Sequence, residues 1–167
     1  MKLTELFLAD LEREAGPTRR LIERVPEGRD DWKPHEKSMQ LGYLSSLVAT
    51  MPGWIALMID QDAIDLATGS TEGFTPQQVT GNRSLVDAFD NSVAKSRESL
   101  TKTTDDHLLT KWQLRFGERV LMEHVRHVAI AENLRHFAHH RGQLTVYLRL
   151  NDIPVPSIYG PTADEKF

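Results

Sequence analysis

His136 and His140 stand four residues apart in the stretch ENLRHFAHHRGQL, residues 132 to 144, which holds three of the chain's seven histidines. On a helix that spacing puts both imidazoles on one face, one turn apart. Neutral imidazole is a good ligand for Zn²⁺ or Ni²⁺, so the pair can serve as two of the ligands of a metal site. The plainer reading is a pair of histidines hydrogen-bonded in a crevice. Ala129, Glu132, Gln143 and Tyr147 fall on the same stripe. Glu132 is a candidate acid–base or ligand-orienting group, or else a partner for His136 or His139. Gln143 and Tyr147 are candidates for orienting a substrate. His139 points away from the stripe and is expected at its rim. Arg141 leaves on the opposite flank, where it suits an ion pair or a substrate carboxylate. His124 and His127 are expected to be solvated near the start of the helix, and His35 and His107 to lie at the surface.

Composition narrows the chemistry. No cysteine is present, which removes thiolate nucleophiles, cysteine-bound zinc and cysteine-ligated iron–sulfur clusters, and fits a reducing compartment. With 20 basic and 24 acidic residues the net charge is −4, and the arginines are scattered. That pattern offers no electrostatic footprint for nucleic acid and no polybasic patch for a membrane surface. The N-terminal stretch MKLTELFLADLEREAG acquires acidic residues early and is not expected to be a signal peptide. No long unbroken apolar run occurs, so no membrane span is expected, and the expected location is the cytoplasm.

The helices that must carry these residues are legible from apolar spacing. Leu3, Phe7, Leu11, Leu21, Ile22 and Val25 recur at helical intervals, with a kink or local break expected at Pro17. A second helix is expected from Met39 to about Leu66, interrupted at Pro52-Gly53, and then a loop over residues 67 to 83. Ser84 with Asp87 suggests a capping box for a third helix bearing Leu85, Phe89, Val93 and Leu100. The stretch KWQLRFGERV alternates as a short extended segment would. A long last helix is expected from about Glu123 to Leu150, then a proline-containing coil tail whose Ile153, Val155, Ile158 and Tyr159 could cover the core or form a symmetric dimer contact. The expected fold is a single all-α domain over residues 1 to 167, a four-helix bundle with a C-terminal coil tail.

The stretch HFAHHRGQLTVYLRLNDIPVPSIYGPTADE resembles the C-terminal signature of the DinB family, the DinB/YfiT-like metalloproteins, whose last helix typically reads His-x-x-His-His-Arg-Gly-Gln. WKPHEKSM, followed by a helix ending in MPGW, is similar to one large subgroup of that family, as is the PVPSIYGP tail. The resemblance implies a four-helix bundle, commonly homodimeric, with zinc or nickel held by three histidines, two from the last helix and one from the second. The first two map onto His136 and His140. The third falls seven residues before Trp54, on Leu47, which cannot ligate. A site completed by waters, a site completed by Glu132 and no metal at all are the outcomes left open. Characterised members include transferases that use a low-molecular-weight thiol. The implied activity is therefore a metal-dependent transferase or hydrolase with such a thiol and a degraded metal site. The alternative is a non-catalytic small-molecule-binding or dimeric structural bundle that has lost the metal.

Overall fold

The computed structural model describes residues 2–68 and 78–166. Helix α1 runs Leu3–Ile22, unbroken through Pro17. Its first free amides are held by the Asp105 carboxylate, which accepts from Leu3 N at 2.9 Å and Thr4 N at 3.0 Å. Helix α2, Leu41–Thr50, leads through a 3₁₀ turn at Met51–Gly53 into α3, Trp54–Asp60. The break falls at Pro52-Gly53 as the sequence indicates. Ser96 reaches across from the next long helix to repair it, donating to Pro52 O at 2.6 Å and accepting from Ala56 N at 3.2 Å.

Strand β1, Ala63–Asp65, occupies the segment expected to end the second helix. Helix α4 covers Asn82–Lys102. The expected Ser84 cap is displaced: Gly81, at φ +85°, is the N-cap, and Asn82 ties the start of the helix to Ile22 O and Val25 O. A single helical turn, α5, Asp105–Leu108, precedes strands β2, Lys111–Phe116, and β3, Arg119–Val125. Helix α6, Arg126–Leu150, closes the domain. It starts later than expected because Glu123, His124 and Val125 continue the ladder, paired with Gln113, Trp112 and Lys111.

Four helical units, α1, α2 with α3, α4 and α6, share one core, but the chain is not the bare four-helix bundle expected. A three-stranded sheet in the order β1-β2-β3, parallel then antiparallel, is added to it. Its hairpin turns on Gly117 at φ +59°, a conformation that glycine adopts without a Cβ penalty. Arg126, 1% exposed, pins the sheet to the bundle. It donates to Met58 O at 2.6 Å, Gln61 O at 2.7 Å and Thr110 Oγ1 at 3.0 Å, and pairs with Asp62.

By length and composition Leu41–Asp60 does meet the requirement for a membrane span, with a mean hydropathy of 1.4, contrary to the reading from unbroken apolar runs. Its most apolar window is 78% buried inside the protein, where it forms the middle of the core. The tail packs on its own domain: Val155 is buried, and Asp164 and Glu165 pair with Arg149 and with Arg20 and Arg24.

Candidate functional site

The histidine pair of α6 forms as its spacing demands. His140 is 9% exposed, and its Nε2 lies 2.7 Å from Nε2 of His136. On its other side, His140 Nδ1 lies 2.8 Å from Gln143 Oε1. An amide oxygen only accepts, so Nδ1 carries the proton. In the neutral ring His140 Nε2 is then the acceptor for the N–H of His136. With both rings neutral, this chain of hydrogen bonds selects the tautomers, Nδ1–H on His140 and Nε2–H on His136. Burial pushes the pKa of both histidines down. The neighbouring imidazoles His140 and His139 add to this at His136, and at His140 the Gln143 bond partly opposes it.

The other candidate residues of α6 disperse. His139 is exposed at the rim, its ring 5.2 Å from that of His140. Tyr147 is committed elsewhere, donating from its hydroxyl to Met39 O at 3.0 Å with its ring edge-on to Trp32. Glu132 turns from the pair towards β3, where its carboxylate is 3.4 Å from His124 Nε2. Arg141, 1% exposed, points to the opposite side of the helix. There it meets Glu14 at 2.5 Å, Thr18 Oγ1 at 2.9 Å and the Tyr159 hydroxyl, with its guanidinium over the Phe137 and Tyr159 rings. The expectation of solvated histidines elsewhere also needs correction. His107 is half-buried and donates to Ile59 O at 2.8 Å, His127 donates to Leu108 O at 3.2 Å, and His124 sits in a strand; His35 is exposed as expected.

A pocket of about 400 Å³ opens beside His136, between α3, the hairpin and α6. Trp54, Met58, Trp112, Leu114 and Met122 give it apolar walls, while Glu132, Asn133 and His136 bring polar atoms from α6. The Trp54 and His136 ring centres are 6.3 Å apart, and His136 is the member of the pair that borders this space. The sequence reading missed Trp54, Trp112 and Asn133. The signal for Trp112 was its place in an alternating strand, but which helix that strand covers is a tertiary fact.

Residues 1–166 match the family model described as the DinB family. The chain belongs to the DinB family. Among solved structures it is similar to a DinB-like protein from Bacillus subtilis, at 18% identity and a TM-score of 0.70, covering 92% of this chain and 96% of that one. A DinB-like protein from Bacillus cereus ATCC 10987 is similar at 20% identity and TM-score 0.70, covering 93% and 97%. A putative member of the DinB family from Exiguobacterium sibiricum 255-15 gives 17% identity and TM-score 0.68, covering 94% and 97%. At these identities the likeness concerns the fold. No curated protein matches.

The metal that the family implies finds only part of its ligand set. Leu47, at the position of the third histidine, is 6% exposed and packed in the hydrophobic core. Among the described residues, no group of three or more His, Asp or Glu side chains is gathered to hold an ion. The paired Nε2 atoms are also closer than two ligands on one tetrahedral zinc, which at ~2.0–2.1 Å from each nitrogen need roughly 3.3 Å between them. The residues present do not fit a three-histidine centre.

Proposed function

We propose that this DinB-family chain binds a small molecule in the pocket beside His136, without catalysis by a resident metal. The observation that carries the reading is the histidine pair itself. The Nε2 atoms of the two rings are hydrogen-bonded to each other, His140 is backed by Gln143, and His136 borders an apolar pocket of about 400 Å³. That volume lies within the ~300–1,000 Å³ of ordinary small-molecule sites. The neutral imidazoles supply a polar edge without a fixed charge, and Arg141 holds the tail rather than a ligand.

A second reading rests on the convergence of the same two nitrogens. If the rings part, His136 and His140 offer two imidazoles to zinc or nickel, with Gln143 orienting one through its far nitrogen. In the thiol-dependent relatives suggested by the sequence resemblance, the metal would lower the pKa of a cofactor thiol.

Elemental analysis of untagged protein purified without chelating resin separates the two. The proposal expects far less than one metal per chain, and no uptake of added zinc or nickel at micromolar concentration. Near-stoichiometric metal that disappears in the double substitution His136→Ala, His140→Ala would replace it with the second reading.

A further inference from the structure

Two residues that line the His136 pocket each bury a polar atom without a hydrogen-bond partner: Trp112 Nε1 and Asn133 Oδ1. The third orphan among the described residues, Asn151 Oδ1, belongs to the residue that caps the far end of α6. The orientation of the Asn133 amide is not arbitrary. Its Nδ2 donates to Met51 O at 3.2 Å, and turning the amide over would set two oxygens against each other, so Oδ1 is the atom left over. The indole N–H can only donate and the amide oxygen can only accept. Two residues lining one apolar cavity therefore carry, just beneath its surface, an unpaired donor and an unpaired acceptor.

We infer that the pocket takes neutral aromatic molecules bearing a hydroxyl, and that the hydroxyl is read jointly by Trp112 Nε1 and Asn133 Oδ1. This rests on the pocket being a small-molecule site. A hydroxyl is the smallest neutral group that accepts one hydrogen bond while donating another, so it completes both atoms at once. The walls suit an aromatic body. Trp54, Leu114 and Met122 line it with apolar atoms, while Met58 and Met122 are unbranched and can shift to admit the hydroxyl to atoms that lie beneath the surface. Charge is selected against on both sides. An anion would meet the Glu132 carboxylate at the pocket edge beside His136, whose desolvation favours the neutral form. A cation would leave the indole N–H without an acceptor.

The test compares 2-naphthol with 2-methylnaphthalene, which replaces the hydroxyl by a methyl group of similar size, by calorimetry and by the indole N–H resonances of the full chain. Sites built to pair a hydroxyl discriminate strongly against analogues that lack it. The expected result is 2-naphthol bound about tenfold or more tightly, with the Trp112 indole proton moving downfield only with the naphthol. Asn133→Leu should erase the preference, and Trp112→Phe serves the same purpose if the first variant fails to fold. Equal binding of both probes would leave the pocket as a ligand site and overturn hydroxyl recognition. Tighter binding of benzyltrimethylammonium than of 2-naphthol would overturn it in favour of a cation. Binding of none of these would remove both the inference and the proposed pocket function.

Discussion

Glu14→Gln tests whether Arg141 is a structural cation rather than a ligand-binding one. Arg141 is 1% exposed, whereas the Glu14 side chain is 16% exposed, so the substitution removes the counter-charge of a cation that cannot rehydrate. Breaking a buried pair by neutralising one partner costs about 3–5 kcal/mol. Thr18 Oγ1, the Tyr159 hydroxyl and two aromatic faces remain around the guanidinium, which places the cost at the low end, about 3 kcal/mol. For a domain of this size each kcal/mol shifts Tm by ~2–4 °C, giving a drop of roughly 6–12 °C. In the double variant Glu14→Leu, Arg141→Met both charges go, and apolar packing around Phe137 replaces them. Its Tm should return to within about 4 °C of the parent, following the pattern in which a whole buried pair is replaceable but half of one is not. Thermal unfolding by circular dichroism at neutral pH measures all three proteins. A Glu14→Gln protein as stable as the parent, or a double variant no better than the single one, would refute the buried-pair argument. Probe binding at the His136 pocket should be unchanged in the folded double variant.

Further expectations concern the site and its supports. Because burial lowers the pKa of His136 and His140, the folded protein binds fewer protons than the unfolded chain just below the ordinary histidine pKa. Their contribution is complete above about pH 6.5 and is lost as pH falls through the lowered values. The urea midpoint should decline from pH 7 to 5, and less so in His136→Gln, His140→Gln; equal declines would count against it. Arg126→Ala should cost about 3 kcal/mol or more, because it strips a partner from the Met58 and Gln61 carbonyls and unties the sheet. Amide exchange in β1 and β2 should rise with it, while Asp62→Asn, at a side chain 95% exposed, should leave Tm within about 2 °C. A Cβ on Gly42 would lie 2.8 Å from Gln78 Nε2 and 2.9 Å from Asp30 Cβ. Gly42→Ala should therefore destabilise by about 1–3 kcal/mol in chemical denaturation, as overpacking does.

The helical parts of the fold were legible because apolar residues repeat at the helical period in α1, α2, α4 and α6, and because Pro52-Gly53 is a local breaker whose effect needs no distant partner. The hairpin was half legible. Trp112, Leu114 and Phe116 alternate, and a glycine follows Phe116, yet the end of β3, from Glu123 to Val125, was absorbed into the following helix. Leu121, Met122, Val125 and Val128 fit a helical pattern as well as a strand, and only the ladder to β2 decides between them. The capping expectation at Ser84 failed for a related reason. Asn82 finds carbonyls at the end of α1, a partner that no local window contains.

At the site, the sequence alone determined the histidine pair, since residues four apart on one helix meet whatever surrounds them, whereas Gln143, expected to orient a substrate, backs His140 instead. It also determined that Leu47 leaves a three-histidine centre short of a ligand, because no fold gives a leucine a lone pair. The tertiary structure decided where the neighbouring polar groups spend themselves: Tyr147 on Met39, Glu132 beside His124, Arg141 on Glu14 and Tyr159. It alone set Trp112 and Asn133 on one cavity wall, because a pocket's chemistry is fixed by which surfaces pack together, and packing joins residues that the chain keeps far apart.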